Sequence, residues 1–177
     1  GALDAGADLV NDIRALRFDP GMAPLIAARG APVVLMHIKG TPRTMQEAPS
    51  YRHVIPEVVA DLSDLMEAAV REGIDRERII LDPGIGFGKR LSDNLAILRH
   101  LAAFVSLGRP VAVGVSRKSF LAAMAPDVSG EAAAAAGAAG AGAAMVAEAI
   151  AVMGGAHIIR THDPERAAMA ARIAAAV

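Results

Sequence analysis

Polar side chains that can bind a ligand follow five short apolar runs of the sequence. They are Asn11-Asp12, His37 with Lys39, Asp82, Ser116-Arg117-Lys118, and Arg160 with His162. Ligand sites of parallel βα units collect at the carboxyl ends of the strands, so we expect these side chains to meet on one rim. Any one of them alone is equally compatible with an ordinary loop or capping residue.

The stretch from Asp82 to Lys89, DPGIGFGK, is the most informative of these segments. Its three glycines allow a sharp turn and a close approach of the backbone to a flat ligand. The Asp82 carboxylate is able to accept paired hydrogen bonds from an amidine-like edge, such as that of a pterin. Two plainer interpretations stay open: Asp82 caps its own backbone, and Phe87 is a core residue and not a stacking platform.

Two further segments have the composition of anion sites. Ser116-Arg117-Lys118-Ser119-Phe120 leaves one strand and enters a helix, which places free amides, cations and a hydroxyl at a positive helix end. Arg160-Thr161-His162-Asp163 repeats this arrangement before a helix that begins at Pro164. The alternatives are a solvated charged pair for the first segment and a satisfied loop histidine for His162.

Other kinds of site are disfavoured by the residue pattern. The five histidines have no HxxH or HExxH spacing, and the sequence contains no nucleophile elbow, Walker lysine loop or GxGxxG. A net charge of -1 argues against binding to nucleic acid or an anionic membrane. The absence of cysteine favours a reducing, cytoplasmic location, and the alanine- and glycine-rich run at 132–149 predicts a buried helix, not a membrane span.

Strand and helix patterns alternate along the whole chain, which indicates a parallel sheet with helical crossovers in a single domain, residues 1–177. The first five residues look like the tail of a helix, so we expect the domain to be truncated at its N terminus. The predicted strands cover 8–10, 32–36, 78–81, 111–115 and 156–159. The first predicted helix begins at Asp19-Pro20 and ends at Gly30. The other predicted helices cover 54–72, 92–103, 117–124, 131–153 and 164 to the terminus.

Taken together and in order, these motifs resemble the dihydropteroate synthase family. The similarity covers VNDI at 10–13, LMHIKGTPRTMQ at 35–46, DPGIGFGK at 82–89, SRKSF at 116–120 and RTHD at 160–163. The resemblance implies a TIM (β/α)8 barrel of the pterin-binding type, of which this chain holds about five βα units. A typical barrel takes about 250 residues, and the N-terminal strands of the family have no counterpart here.

The resemblance also implies a role for each matched residue. Asn11 and Asp82 are expected to bind the pterin edge, Met36 to line its pocket, and Lys118 to reach its carbonyl and N5 side. Arg160 is expected to lie on the ring face and, with His162, to hold a diphosphate. Phe87 is expected to contact 4-aminobenzoate, and Ser119 to receive its carboxylate. Asp82, Lys118, Arg160 and His162 are the expected catalytic residues.

The implied reaction joins a dihydropterin diphosphate to 4-aminobenzoate and releases diphosphate. It implies Mg²⁺ on the diphosphate with its protein ligand outside this segment, and a homodimer when the chain is complete. The stretch 130–155 is longer and richer in alanine and glycine than is usual for the family, so the packing of the helix before the last strand is left open.

Two alternatives stay open. One is a methyltetrahydrofolate-corrinoid methyltransferase, which also binds a pterin in a related barrel; the SRKSF and RTHD motifs disfavour it, because methyl transfer needs no diphosphate pocket. The other is a non-catalytic partial module that binds a pterin.

Overall fold

Five parallel strands form the centre of the computed structural model, which describes residues 1–124 and 134–177. The strands are β1 (Val10–Asp12), β2 (Val33–Met36), β3 (Ile79–Asp82), β4 (Ala112–Val113) and β5 (Ile158–Ile159). The first three pair in the order β1-β2-β3, and β4 pairs with β5. A parallel bridge between Leu81 and Val111 joins the two groups, so all five carboxyl ends face the same way.

Helices connect these strands as crossovers, as the sequence pattern predicted. They are α1 (Met22–Arg29), α2 (Val54–Arg71), α3 (Leu91–Arg99), α4 (Ala102–Val105), α5 (Ser119–Met124), α6 (Ala134–Met153) and α7 (Pro164–Ala174), with a 3₁₀ turn at Arg76–Arg78 before β3. Alternation of strands and helices in one parallel array is the arrangement of βα units.

The core lies between the sheet and its helices. All four residues of β2 are buried, as expected for a central strand covered on both faces. The amphipathic helix α2 buries four residues spaced four, four and three apart: Val58, Leu62, Met66 and Ala69. That spacing gives one apolar stripe, and each fully buried large side chain adds roughly 1.5–3 kcal/mol.

From residue 140 onward, helix α6 is buried on one side only. Ala144, Ala147 and Ala151 are buried, whereas Val146 and Met153 are 57% and 65% exposed. The prediction of a buried helix therefore holds for the inner face of α6 and is wrong for its outer face. Residues 131–133 of the predicted helix lie outside the described residues. Small side chains let α6 pack closely on α7, where Ala167 and Ala170 are buried. None of the helices in the described residues is long and apolar enough to cross a bilayer.

Several element boundaries differ from the sequence predictions for local reasons. Strand β1 extends to Asp12, so Asn11 and Asp12 lie inside the strand and not after it. The Asp19 carboxylate accepts from the Gly21 amide at 2.8 Å, and this turn delays α1 until Met22. Strands β4 and β5 are shorter than predicted.

The predicted helix from 92 to 103 is two helices. It begins one residue early because the Asp93 side chain, not Ser92, caps the first turn by accepting from the Arg90 amide at 2.9 Å. It then stops at Arg99, and α4 begins at Ala102. The cap at Asp163 is confirmed: its carboxylate accepts from the Arg166 amide at 3.1 Å, with Pro164 as the first helical residue.

A close approach between two backbones fixes the loop after β3. Gly84 has φ +66°, and a Cβ atom there would overlap the carbonyl oxygen of His37, which follows β2. The His37 amide also donates to the Asp82 carbonyl at 2.9 Å. The loop after β3 is therefore fastened to the end of β2 by contacts that tolerate no side chain at position 84.

Both ends of the strand array are open. Within the described residues β1 pairs only with β2, and β5 only with β4. A parallel barrel has no such edges, because its first and last strands pair. We use the term closed-barrel form for this chain fused to an N-terminal segment that supplies the strands between β5 and β1.

We expect Gly84→Ala to destabilise the closed-barrel form strongly, because the added Cβ meets the His37 backbone. Gly108→Ala is the matched control, since Gly108 has a similar φ of +74° with nothing within 4 Å of the added atom. The control is expected to lose only about 1 kcal/mol, and Gly84→Ala more than about 4 kcal/mol. Denaturant unfolding measures both, and equal losses would contradict the close approach.

Candidate functional site

A cavity of about 410 Å³ opens at the carboxyl ends of the strands. Five of the predicted site residues line it together: Asn11, Phe87, Lys118, Arg160 and His162. They come from β1, from the loops after β3 and β4, and from the segment after β5. The expectation that distant motifs meet on one rim therefore holds for these residues, and a cavity of this size suits a small organic ligand.

Asp82 is the buried acid of this rim, only 1% exposed. Its Oδ1 accepts from the Gly84 amide at 2.7 Å, and its Oδ2 accepts from Arg160 Nη2 at 3.0 Å. The interpretation that Asp82 caps its own backbone therefore holds for Oδ1, whereas Oδ2 binds Arg160. A carboxylate offers about four acceptor positions, so both oxygens retain room for a further donor.

Arg160 reaches Asp82 by lying across β4. A Cβ atom at Gly114 would be 2.9 Å from Arg160 Nη2, so the absence of a side chain there gives the guanidinium its path. Gly114 is a site residue that sequence reasoning missed. The available signal was a glycine two residues before Ser116, inside the valine-rich predicted strand 111–115.

Lys118 and Phe87 form the opposite wall of the cavity. The Lys118 ammonium lies 4.0 Å from the centre of the Phe87 ring, which is a cation–π contact. Burial lowers the pKa of Lys118 below its ordinary value; Asp82 opposes this shift and Arg160 adds to it. The half-buried Phe87 is therefore a wall of the cavity, not a core residue.

Hydrogen bonds tie the last two loops together. The Ser116 hydroxyl lies 3.1 Å from His162 Nδ1 and accepts from the His162 amide at 3.4 Å. Between Ser116 and Lys118, Arg117 adopts a left-handed conformation with φ 58°. Arg117 adds a third positive charge to a cavity that already contains Lys118 and Arg160.

Two predicted residues lie away from this cavity. Met36 is fully buried opposite Asp82 in the β2–β3 register. Ser119 begins the short helix α5 and lines a neighbouring cavity of about 520 Å³. That second cavity shares Lys118 and His162 with the first, so the two spaces are adjacent.

A buried polar chain supports the loop from below. Lys89, 3% exposed, donates through Nζ to His37 Nδ1 at 2.9 Å, to the Gly84 carbonyl at 3.0 Å and to the Phe87 carbonyl at 3.1 Å. His37 Nε2 lies 3.1 Å from Asp61 Oδ2. Burial, then the nearby Lys89 charge, lowers the pKa of His37 to about 3, so the ring is neutral at physiological pH.

The sequence had placed His37 on the rim and had given Lys89 no role. A histidine directly after a strand and a lysine closing a glycine-rich loop look like solvent-facing residues, and only the folded loop shows their burial. The described residues contain no group of three or more histidine or acidic side chains that could hold a metal ion.

Fold and site together define a pterin-binding class of βα-barrel protein. The family model described as "Pterin binding enzyme" matches residues 1–162, and the chain belongs to that family. It is 40% identical over 168 residues to the dihydropteroate synthase of Escherichia coli K12, covering 95% of this chain and 56% of that protein. This confirms the resemblance to dihydropteroate synthase.

Solved structures of dihydropteroate synthases have the same fold as this chain. The chain superposes on the Thermus thermophilus dihydropteroate synthase in complex with 6HMPPP with a TM-score of 0.87 and 37% identity, covering 99% of this chain and 66% of that one. For the Xanthomonas albilineans enzyme in complex with 7,8-dihydropteroate the TM-score is 0.85 at 35% identity, covering 99% and 61%. The predicted partial TIM barrel is confirmed, and the chain spans a little over half the length of the E. coli relative.

His37 is expected to make stability depend on acid. Its pKa is about 3 in the folded state and about 6.5 when unfolded, so its contribution is complete above about pH 6.5 and is lost as pH falls towards 3. Relative to His37→Gln, the closed-barrel form should lose on the order of a few kcal/mol over this window. Denaturant unfolding at a series of pH values measures this loss, and parallel curves for the two proteins would contradict it.

Proposed function

We propose that this chain forms the larger part of a dihydropteroate synthase, which joins (7,8-dihydropterin-6-yl)methyl diphosphate to 4-aminobenzoate and releases diphosphate. The observation that carries the proposal is the Asp82 carboxylate, buried at the end of β3 beside a cavity whose other charged groups are cations. This is the environment that a flat, amidine-edged ligand with a diphosphate tail requires.

The pterin is proposed to bind by its 2-amino and N3 edge to Asp82, with Asn11 beside it. Support comes from the geometry of Asp82, whose carboxylate is held by the Gly84 amide and keeps free acceptor positions. Lys118, with a lowered pKa beside the same cavity, is proposed to reach the pterin carbonyl and N5. Met36 then contributes only the buried floor next to Asp82, not an open wall.

The diphosphate is proposed to bind to Arg160 and His162. Both residues line the cavity. The Arg160 guanidinium is half-exposed, so rotation of its flexible side chain is enough to release it from Asp82. Its planar face is able to stack on the pterin while its edge donates to phosphate oxygens. Arg117 adds a further cation at the mouth of the same cavity.

4-Aminobenzoate is proposed to occupy the space between the two cavities. Phe87 lies in the first cavity and Ser119 in the second, and Lys118 lines both. An aromatic amine placed there has its ring near Phe87 and its carboxylate near the Ser119 hydroxyl. The amine then faces the 6-methylene carbon of a pterin bound at Asp82.

The reaction needs charge stabilisation more than a nucleophile from the protein. As the bond to diphosphate breaks, positive charge grows on the pterin and negative charge on the leaving group. Asp82 stabilises the first and Arg160 with His162 stabilises the second, because fixed charges in a water-poor site act strongly on developing charge. The arylamine supplies the electron pair for the new bond, diphosphate leaves with the electron pair of the old one, and the proton lost by the amine passes to solvent.

Other properties follow from the same proposal. For Mg²⁺ we propose ligands from the diphosphate and from protein outside this segment, and no step above depends on it. We also propose a cytoplasmic enzyme with small-molecule substrates, and a homodimer, which the exposed apolar side chains of α6 support.

A turnover assay tests the proposal. The closed-barrel form is incubated with dihydropterin diphosphate, 4-aminobenzoate and Mg²⁺, and dihydropteroate is quantified; the 177-residue chain alone is assayed beside it. We expect product from the closed-barrel form and little from the open chain. Binding of the pterin without product would favour the non-catalytic module, and methyl transfer from methyltetrahydrofolate to a corrinoid would favour the methyltransferase.

We expect Asp82→Asn to weaken pterin binding by roughly 1.5–3 kcal/mol, because an amide cannot accept both hydrogen bonds or stabilise growing positive charge. Turnover should fall as well. The matched control is Asp93→Asn, which changes a buried carboxylate that caps α3 and does not line the cavity. Calorimetry with the closed-barrel form measures the affinity, and equal affinities for Asp82→Asn and wild type would remove Asp82 from the site.

Product inhibition by diphosphate tests the second half of the site. Arg160→Ala and His162→Ala should each raise the inhibition constant, and Arg160→Lys should recover little, because an ammonium has no flat stacking face. Arg172→Lys, an exposed change on the nearby helix α7, serves as the control. Inhibition constants equal to that of the control would leave RTHD as a helix cap only.

A further inference from the structure

One buried cation serves two substrate-contacting residues and has no role in the chemistry above. The three N–H groups of the Lys89 ammonium meet three acceptors: His37 Nδ1, the Gly84 carbonyl and the Phe87 carbonyl. An ammonium has three donors and no acceptor, so its hydrogen-bonding capacity is filled. All three partners are neutral, and no carboxylate touches it in the described residues.

The first path from Lys89 leads to the pterin edge. Lys89 holds the Gly84 carbonyl at 3.0 Å, and the amide of the same Gly84 holds Asp82 Oδ1 at 2.7 Å. The direction of the Asp82 carboxylate therefore depends on a glycine that Lys89 anchors. Glycine has the widest conformational freedom of any residue, so an unanchored Gly84 would hold Asp82 less firmly.

The second path leads to the wall of the other substrate. Lys89 holds the Phe87 carbonyl at 3.1 Å, and the Phe87 amide donates to the Gly84 carbonyl at 3.0 Å. These bonds fix the backbone that directs the Phe87 ring against the Lys118 ammonium. The two anchored residues lie three positions apart, so one cation closes the whole turn.

His37 is the side-chain hydrogen-bond acceptor for the Lys89 ammonium. Lys89 donates to His37 Nδ1, so the imidazole proton is on Nε2, which then donates to Asp61 Oδ2 at 3.1 Å. The opposite tautomer would turn a lone pair towards the Asp61 carboxylate. Asp61 on α2 thus selects the tautomer that accepts the Lys89 hydrogen bond.

We propose that Lys89, seated on neutral His37, is a positioning residue that fixes Asp82 and Phe87 in the geometry that binds the two substrates. Its catalytic consequence rests on the synthase function proposed above. Lys89 itself touches neither the cavity nor the substrates, and acts through the two loop carbonyls.

The same geometry gives the loop a pH dependence. Burial lowers the pKa of Lys89 to about 7; Asp82, Asp93 and Asp61 oppose this shift, and Lys118 adds to it. Below about pH 7 the ammonium binds all three acceptors. Above it the neutral amine has only two donors, so one acceptor is lost and the turn loosens as pH rises.

Lys89→Met in the closed-barrel form removes all three donors and keeps an unbranched side chain. Arg109→Met is the matched control, because Arg109 is a buried cation that also binds three acceptors, at the far end of β3: the Ile79 carbonyl, the Glu77 carbonyl and the Glu77 carboxylate. Both variants lose stability, but only the first loosens the loop. Hydrogen exchange at amides 84–88 reads the loop directly, without substrate.

For Lys89→Met we expect amide exchange at 84–88 to be at least about tenfold faster, and kcat/KM for both substrates to fall on the order of 10- to 100-fold. Wild-type exchange, corrected for its intrinsic pH dependence, should quicken above about pH 7, and exchange in the variant should not. Exchange and kinetics equal to those of Arg109→Met would overturn the proposal.

Chemical rescue separates positioning from general damage. The chain contains no cysteine, so Lys89→Cys in a cysteine-free closed-barrel form can be alkylated specifically with 2-bromoethylamine while unfolded, which restores an ammonium at nearly the native position. Slow exchange and turnover should both return, and their failure to return in refolded protein would overturn the proposal. If wild type makes no dihydropteroate, the synthase function fails, while the exchange data still decide the role of Lys89 in the loop.

Discussion

A carboxylate buried at the end of β3 is the constraint on which the rest of the site depends. Burying an ionised side chain costs free energy unless hydrogen bonds and an opposite charge replace the lost solvation. For Asp82 these come from the Gly84 amide and the Arg160 guanidinium. The first requires a glycine packed on the His37 carbonyl, and the second requires a glycine under Arg160 at position 114.

The Asp82–Arg160 ion pair also joins distant parts of the chain. It connects the last residue of β3 with the residue after β5, and so links the two groups of paired strands on the side where the ligand is proposed to bind. Removing Arg160 leaves the buried Asp82 carboxylate without its opposite charge. A ligand that takes the place of Arg160 has to bring its own donors to Asp82, which favours an amidine-like edge over an apolar ring.

The sequence predicted the existence of the five strands, because strand period is a local signal. It also predicted that Lys118 and Arg160 lie on one rim with Asp82, which Arg160 contacts. It failed where a side chain's direction depends on tertiary contacts. His37 was expected on the rim but lies beneath the loop after β3. Met36 is buried beside Asp82, and its expected place in the pterin pocket stays a prediction. Lys89 gave no signal, since a lysine after glycines is ordinarily exposed. The predicted start of α3 was wrong because Asp93, and not Ser92, caps the first turn.

A crystal structure of the closed-barrel form with a bound dihydropterin tests the central claim most directly. We expect the 2-amino and N3 groups of the pterin to donate to the Asp82 carboxylate, and Arg160 to leave its ligand-free position 3.0 Å from Asp82 Oδ2 and lie on the ring face. The Gly84 amide should keep its bond to Oδ1. A pterin bound elsewhere on the rim, with the Asp82–Arg160 pair intact, would contradict the account.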